Sequence, residues 1–387
     1  MRIFLDAAAK TFDEVEILFY TSPSLASECQ SAEYIKKNIK EAWGIDARIT
    51  ICPSASKDDD DSKWQHYILP IFNFINASSY SDISKKTQID ALEECLIRNP
   101  SVIFAHRLSA MCPLMLIQRP LPPIVFDLDD IEHIKLFRNI ILPPFWLGKL
   151  LYYFHLPALI RGERRAMKLA TKTFICSTHD RDYLTNTWKL KNISIIPNSV
   201  TIPRVTDQYP DSKVLTFIGS YTYAPNVSAA DYLLKEVWPL IRNRVPDASL
   251  IIAGNRPENI PAFHAENRGV SFPGFITNLD DLYRRSQLVT CPILSGGGTR
   301  VKILEAAAYG RAIVSTSIGA EGLELNDGTH LAIRDGAEDL AEECVLLLND
   351  LERCRMLGAN ARLVIEHWYD RSKIIELVKN EYLSIRN

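Results

Sequence analysis

The sequence predicts an α/β protein made of two doubly wound domains, each built on a parallel sheet. Short apolar runs alternate with amphipathic helical stretches along most of the chain, which is the pattern of successive βαβ units. A length of 387 residues suits two domains of ordinary size. A polar, proline-rich interval near residue 205 interrupts the alternation and is typical of a linker. These observations place one domain at 1–205, a second at 206–365, and a closing helix at 366–387 that returns to the first.

The opening of the chain departs from this pattern. Apolar residues lie at helical spacing over residues 1–12, and the run that reads as a strand, residues 15–20, resembles the second strand of such a domain. No glycine occurs before Gly44, so the usual first strand and its glycine loop are missing. Two explanations stay open: the reading frame starts upstream, or residues 1–5 form a reduced strand. Loss of a central strand would leave neighbouring ladder groups unpaired.

Strands and helices then follow in turn. Further strands are predicted at 46–52, 102–106, 124–126, 173–177, 214–218, 249–253, 270–272, 288–291 and 312–315. Helices are predicted at 29–43, 229–242, 279–285, 301–309, 337–349 and 351–368. Because ligands of such sheets bind at the carboxyl ends of the strands, we expect the two domains to face each other across a ligand-binding cleft.

Composition excludes several classes of protein. Apolar residues make up 47% and charged residues 24% of the chain, which argues against disorder and coiled coil. A net charge of −3 argues against a nucleic-acid partner. The eight cysteines contain no C-x-x-C pair, so neither a zinc site nor a disulfide framework is expected, and a reducing cytoplasm suits them.

The strongest chemical signal is the segment PILSGGGTRVKILEAAAYG at 292–310. A glycine run that includes Gly297 and Gly298 follows a strand and opens a helix, where backbone N–H groups and the helix dipole favour an anion. We expect Thr299 to cap this helix. Arg300 and Lys302 add two cations, which are unfavourable at a helix start unless a diphosphate binds there.

Glu305, further along this helix, is a candidate acceptor for sugar hydroxyls. The alternative for the whole segment is a glycine turn with two solvated basic side chains. A second glycine turn, at 217–226, follows the first strand of the second domain and is a weaker signal by itself.

Polar residues at two strand ends of the first domain are candidates for the acceptor side. His106 ends one predicted strand, and Asp127, Asp129 and Asp130 follow the next. Side chains at such ends could accept acceptor hydroxyls or orient a base. The alternatives are a packed histidine and aspartates that cap the following helix.

One stretch, residues 139–160, is long and apolar enough to raise the question of a membrane. Three prolines, Lys149 and His155 rule out a continuous spanning helix. Two interpretations are open: peripheral docking on the cytoplasmic membrane face, or a buried helix pair with a solvated basic face. The rings are Phe145, Trp146, Tyr152, Tyr153 and Phe154, and the basic residues that follow are Arg161, Arg164, Arg165 and Lys168.

Together these segments resemble family 4 glycosyltransferases, whose GT-B fold consists of two Rossmann-like domains. In the second half the resemblance rests on IIPNSV at 195–200, FIGS at 217–220, LIIAG at 250–254, FPGF at 272–275, the 292–310 segment and VSTSIGAEG at 314–322. In the first half, FDLDDIE at 126–132 and CSTHDRD at 176–182 are similar to segments of bacterial enzymes that build surface polysaccharides.

The resemblance implies a nucleotide-diphosphate sugar donor that is held mostly by the second domain. Arg300 and Lys302 would neutralise the leaving diphosphate, so no metal or other cofactor is required. Family members usually carry a further glutamate eight positions before Glu305, where this chain has Gly297. The other donor residues that it implies are Gly219 and Ser220 near the diphosphate, Gly274, Phe275 and Ile276 around the base, and Glu305 at the ribose hydroxyls.

The activity implied is that of a retaining glycosyltransferase of hexosyltransferase type. Its acceptor would be a glycan or a lipid-linked molecule in surface-polysaccharide synthesis. Two alternatives stay open: a sugar-nucleotide epimerase of the same architecture, and a non-catalytic sugar-nucleotide-binding protein. A dehydrogenase is disfavoured because no G-x-G-x-x-G follows a predicted strand.

Overall fold

A computed structural model describes residues 1–21, 32–53, 63–141, 145–204, 209–265 and 268–386. The chain divides into two compact units. Unit 1 comprises Met1–Ile196 and Ile374–Asn387, and unit 2 comprises Pro197–Lys373. The predicted boundary at residue 205 and the predicted helix start at residue 29 both lie outside the described residues.

Unit 1 contains two separate parallel sheets among its described residues. β1 (Glu16–Thr21) pairs with β2 (Arg48–Pro53), and a second sheet has the order β3-β4-β5-β6. The strands of the second sheet are β3 (Ile103–His106), β4 (Ile124–Asp127), β5 (Lys172–Ile175) and β6 (Ile193–Ile195). Parallel pairing throughout confirms the predicted α/β class.

The first residues of unit 1 are helical. Helix α1 spans Arg2–Thr11 and buries Ile3, Phe4 and Ala7, so the alternative of a reduced strand at residues 1–5 is wrong. The apolar spacing of three and four residues suits one face of a helix and not the alternation of a strand.

The other helices of unit 1 connect and cover these strands. They are α2 (Ala32–Trp43), α3 (Lys63–Phe72), α4 (Ser78–Ser81), α5 (Lys86–Ile97), α6 (Arg107–Leu114), α7 (Glu132–Ile141), α8 (Leu156–Leu169) and α9 (Thr178–Trp188). Two 3₁₀ segments, Phe74–Asn76 and Leu147–His155, lie between them. Helix α9 begins where the Ser177 hydroxyl accepts a hydrogen bond from the Asp180 N–H, a typical N-cap.

The apolar stretch at 139–160 is divided among α7, the second 3₁₀ segment and α8. Lys149 and His155 are buried, whereas the rings of Phe145 and Phe154 are 72% and 60% exposed. The interpretation as a buried helix pair is therefore wrong for these rings. In the described part of the chain, no helix is long and apolar enough to cross a membrane.

Unit 2 is built on one parallel sheet of six strands in the order β12-β11-β10-β7-β8-β9. The strands are β7 (Val214–Ile218), β8 (Ser249–Ala253), β9 (Val270–Gly274), β10 (Leu288–Cys291), β11 (Ala312–Ser315) and β12 (Ala332–Ile333). Its helices are α10 (Ala224–Tyr232), α11 (Trp238–Arg244), α12 (Leu279–Arg285), α13 (Val301–Ala308), α14 (Ser317–Ala320), α15 (Ala337–Asn349) and α16 (Leu351–Trp368). A π-helical turn, Leu233–Val237, joins α10 to α11, and a 3₁₀ turn spans Pro257–Asn259.

Helix α17 (Arg371–Arg386) returns the chain to unit 1. Its buried residues, including Val378 and Tyr382, join Phe4 of α1 and Val125 and Phe174 of the four-stranded sheet in one apolar cluster. Together α1 and α17 thus complete the core of unit 1 on one face of that sheet.

Candidate functional site

The central strands of unit 2 form a switch point in the sheet. β7 lies between β8 and β10, so the chain fills the sheet on one side of β7 first and on the other side afterwards. The loops that follow two such neighbouring strands diverge and leave a crevice at the carboxyl ends, which is the usual ligand site of a parallel sheet. Here those loops are 219–223 and 292–300, the two glycine turns that the sequence singled out.

Glycines bring three backbones together at the ends of β7, β8 and β9. The Gly219 N–H donates to the Ala253 carbonyl at 3.0 Å, and the Gly254 N–H donates to the Gly274 carbonyl at 2.8 Å. A Cβ added to Gly254 would lie 1.6 Å from the Gly219 carbonyl oxygen. The predicted residues Gly219 and Gly274 are therefore linked through Gly254, which sequence reasoning assigned no role.

The loop after β10 holds Arg300 in place. Gly296 and Gly298 have φ angles of +105° and +70°, which glycine adopts at little cost. Arg300 is buried, and its guanidinium donates to the Gly297 carbonyl at 2.5 Å and to the Ser295 carbonyl at 3.4 Å. Its Nε makes no hydrogen bond to any described residue, so one buried donor is left for an anionic ligand.

The prediction that Thr299 caps α13 is wrong. The backbone stays extended through Arg300, which occupies the cap position and offers no hydrogen-bond acceptor on its side chain. The Thr299 hydroxyl instead accepts a hydrogen bond from the Asn198 amide at 2.7 Å. No side chain caps the first N–H groups of α13, which suits a helix start that binds an anion.

Lys302 connects the two glycine turns through Asn226. The Lys302 ammonium donates to Asn226 Oδ1 at 2.8 Å, and Asn226 Nδ2 donates to the Ser220 carbonyl at 2.9 Å. The ammonium also lies 4.4 Å from the centroid of the Phe217 ring. Burial, together with the charge of Arg300, lowers the pKa of Lys302 to about 8. A bound anion would favour the charged form of this amine.

The remaining predicted donor residues differ in their surroundings. Glu305 lies on α13, and burial raises the pKa of its carboxyl although Lys302 opposes the shift. Phe275 is 72% exposed, and a Cβ on Gly274 would meet nothing within 4 Å. Ile276 packs against the apolar cluster that includes Leu282. The roles of these residues at the base and the ribose stay predictions.

In unit 1, the predicted acceptor residues meet at the ends of β3 and β4. His106 and Asp127 are register partners, and His106 Nδ1 lies 2.6 Å from Asp127 Oδ2. Asp127 is buried, which raises its pKa, while the hydrogen bond from His106 lowers it. With Nδ1 engaged, His106 keeps Nε2 for another partner.

Asp129 is held by the residue that follows His106. The Arg107 guanidinium donates to Asp129 Oδ2 at 2.9 Å, and both residues have positive φ angles, +69° and +63°. Such backbone conformations are rare for side chains of this size and often occur at functional sites.

Sequence reasoning missed the positioning residues Asn198, Phe217 and Asn226. The signal that could have found Asn226 is a carboxamide at the start of a helix directly after a glycine turn. Metal ligands form no group among the residues that the structure describes, since no three His, Cys, Asp or Glu side chains come together.

Comparison with known proteins points to one family. Residues 212–350 match the family model described as "Glycosyl transferases group 1". An uncharacterised 44.6 kDa protein in the cps region of Klebsiella pneumoniae is 26% identical over 175 residues, which are 43% of this chain and 45% of that protein.

Solved structures share the fold at low sequence identity. Sucrose-phosphate synthase from Thermosynechococcus elongatus has a TM-score of 0.69 at 11% identity, covering 97% of this chain and 99% of that one. Anabaena HepE, in complex with UDP and glucose, has a TM-score of 0.65 at 14% identity, covering 99% and 95%. Staphylococcus aureus TarM, in complex with UDP and other ligands, has a TM-score of 0.61 at 15% identity, and the match covers 78% of this chain but 59% of TarM. The chain therefore has the GT-B fold of these glycosyltransferase structures, and its residues 212–350 match the model of the group 1 glycosyltransferases.

Proposed function

We propose that the protein is a retaining glycosyltransferase that uses a nucleotide-diphosphate sugar. The observation that carries the proposal is the switch-point crevice of unit 2, where two glycine turns meet Arg300 and Lys302. This crevice lies inside the segment that matches the glycosyltransferase family, and HepE, which shares the fold, binds UDP. UDP is therefore the first nucleotide to test.

The chemistry that we propose for this site is stabilisation of the leaving group. As the bond between the anomeric carbon and the diphosphate breaks, negative charge grows on the phosphate oxygens. The buried guanidinium of Arg300, the ammonium of Lys302 and the free N–H groups at the start of α13 can all interact with that charge. The acceptor hydroxyl then bonds to the anomeric carbon on the face that the diphosphate leaves, and its proton passes to a phosphate oxygen.

For the acceptor we propose a glycan or a lipid-linked molecule, with His106 as the residue that contacts its hydroxyl. Asp127 orients the imidazole through Nδ1 and leaves Nε2 for that contact. The relative from a cps region supports a role in surface-polysaccharide synthesis.

UDP binding to the purified chain tests the donor site. We expect UDP to raise the melting temperature of the wild type. The Arg300→Ala and Lys302→Ala variants should each bind UDP at least tenfold more weakly, because a charge-assisted hydrogen bond contributes about 1.5–3 kcal/mol. Arg244→Ala, at an exposed arginine of α11, is the control and should bind like the wild type. Equal affinity in all four proteins would refute the assignment.

Transfer without a divalent cation is a further prediction. Arg300 and Lys302 can balance the charge of the diphosphate, which in other enzymes falls to a metal ion. We expect transfer to continue in the presence of a chelator. Loss of activity with chelator and its recovery with manganese would show that a metal is required.

A non-catalytic sugar-nucleotide-binding protein is the second candidate. The described strands of unit 1 form two separate sheets, whereas those of unit 2 form one six-stranded sheet. The unit that we propose for the acceptor therefore departs from a single doubly wound sheet, and this departure favours a protein that binds the donor without transferring its sugar. UDP binding without transfer or hydrolysis of any nucleotide sugar would support this candidate over the enzyme.

A further inference from the structure

Unit 1 carries an exposed aromatic surface that the donor site does not explain. It is formed by α3, α7 and the 3₁₀ segment Leu147–His155 with the two residues before that segment, and its exposed rings are Phe72, Phe137, Phe145, Trp146, Tyr153 and Phe154. Phe72 is 76% exposed, and several aliphatic side chains on the same three elements are exposed as well. Large exposed apolar patches on a folded protein usually mark a binding surface.

The three elements form one surface because they pack on one another. The Tyr67 ring of α3 lies 6.0 Å from Tyr152, whose ring lies 6.0 Å from Trp146. The Phe137 ring of α7 lies 6.4 Å from Tyr153. His155 Nε2 donates to the Tyr67 carbonyl at 2.7 Å, so a polar contact also holds the segment to α3.

The segment from His133 to Gly162, which carries five of the six exposed rings, is basic. Residues 133–162 include four Lys or Arg and no Asp or Glu. Helix α8 continues directly from the 3₁₀ segment, and Arg161, Arg164, Arg165 and Lys168 are exposed along one face of it. The acid on that helix, Glu163, is fully buried and bonds to His133 and to the Glu132 N–H.

We propose that this aromatic surface docks unit 1 on an anionic lipid bilayer. Aromatic rings favour the interface between headgroups and acyl chains, and clustered lysine and arginine bind anionic headgroups. A second copy of this chain is a poorer occupant, because a two-fold interface would bring the basic face of α8 close to its own copy. Docking on the bilayer does not depend on the donor site. Its purpose, which is to reach a lipid-linked acceptor, rests on the proposed function.

Co-sedimentation of the full chain with vesicles tests the proposal. The vesicles are phosphatidylcholine alone, and phosphatidylcholine mixed with phosphatidylglycerol. We expect binding to the mixed vesicles at low salt, and weaker binding at high salt or without the anionic lipid.

Matched variants assign the binding to this surface. Phe145→Ser combined with Phe154→Ser should weaken binding about tenfold or more. Met356→Ser combined with Leu363→Ser, two exposed residues of α16, is its control and should change nothing. Arg164→Gln combined with Arg165→Gln should weaken binding roughly 30-fold. The control for this arginine variant is Arg284→Gln combined with Arg285→Gln, which changes two adjacent exposed arginines of α12.

Three results would overturn the proposal. They are absence of binding to the mixed vesicles at low salt, equal losses in the control variants, and a dimer in light scattering that the phenylalanine variants dissociate. Melting temperatures of the variants identify any loss of fold. UDP binding is measured without vesicles and vesicle binding without UDP, so failure of the docking surface and failure of the proposed function are separate outcomes.

Discussion

Lys302 illustrates how one residue can serve two states of the proposed donor site. Without a ligand, its ammonium is held by Asn226 and by the face of Phe217, and burial lowers its pKa to about 8. A diphosphate beside it favours the charged form, so ligand binding and proton binding at this amine are linked.

The linkage predicts a pH dependence for UDP binding. We expect affinity to fall about tenfold or more as the pH rises through about 8, because Lys302 then loses its proton and the charge-assisted bond. The stability of the unliganded protein depends on pH in the opposite direction. The pKa of Lys302 is lower in the folded state than in the unfolded state, so the contribution of Lys302 to the free energy of unfolding is lost as the pH falls towards 8.

Calorimetric titration across this pH range checks the prediction, with Lys302→Arg as the control. Arginine stays charged throughout, so its UDP affinity should be nearly independent of pH. A wild-type affinity that stays constant between pH values of about 7 and 10 would contradict the assignment.

At the scale of elements, the ends of β3 and β4 depend on a buried pair. Burial raises the pKa of Asp127, and the hydrogen bond from His106 is the main factor that opposes this shift. His106→Ala should therefore leave a buried carboxylate without its partner and cost about 1–3 kcal/mol at neutral pH.

The pH dependence of that loss identifies its cause. A raised folded pKa means that the unfavourable contribution of the carboxylate grows as the pH rises through that pKa and disappears at lower pH. Thermal denaturation should show a large effect of His106→Ala at neutral pH and a smaller one in acid. The double variant with Asp127→Asn should recover part of the stability, and a loss of equal size at every pH would show that charge is not the cause.

The close approach of the backbones at the ends of β7 and β8 restricts which residues can replace Gly254. Gly254→Ala should lower the melting temperature strongly, by the equivalent of more than about 2 kcal/mol, because its Cβ would overlap the Gly219 carbonyl. Gly328→Ala is the matched control: it also has a positive φ, but a Cβ there meets nothing within 4 Å. Backbone strain alone, about 1–2 kcal/mol, should account for its effect, and equal losses in the two variants would contradict the overlap.

Elements with a local signal were predictable from the sequence, and those set by distant contacts were not. Buried strands such as β7 and β10 occur at the residues predicted, because a short apolar run after a turn has few alternatives. A continuous helix was predicted over 229–242, yet the chain forms a π-helical turn before Pro239, whose ring has no N–H for the helical ladder. The pairing of Lys302 with Asn226 joins residues 76 positions apart, which no local pattern reveals.

Across the whole molecule, the chain completes unit 1 only with its last helix. Val378 and Tyr382 of α17 are buried with Phe4, Val125 and Phe174, whereas Leu377 is exposed. Val378→Asp should therefore destabilise unit 1, and Leu377→Asp, its neighbour, should not. Because the glycine turns, Arg300 and Lys302 all belong to unit 2, both variants should keep their UDP affinity. Hydrophobic-dye binding measures the first effect, and loss of UDP binding in Val378→Asp would show that the units do not fold independently.

The return of α17 also fixes an order of events during synthesis. The ribosome makes residues 197–373 before it makes the residues that close unit 1, so unit 2 can fold while the newly made first unit waits. At translation rates of about 5–20 residues per second, that wait lasts roughly 10–35 seconds. During it, the sheet face with Val125 and Phe174 lacks the cover of α17 and presents a nascent-chain chaperone with a defined client surface. A premature stop codon just before α17 would release a chain whose unit 2 is finished and whose unit 1 can still aggregate.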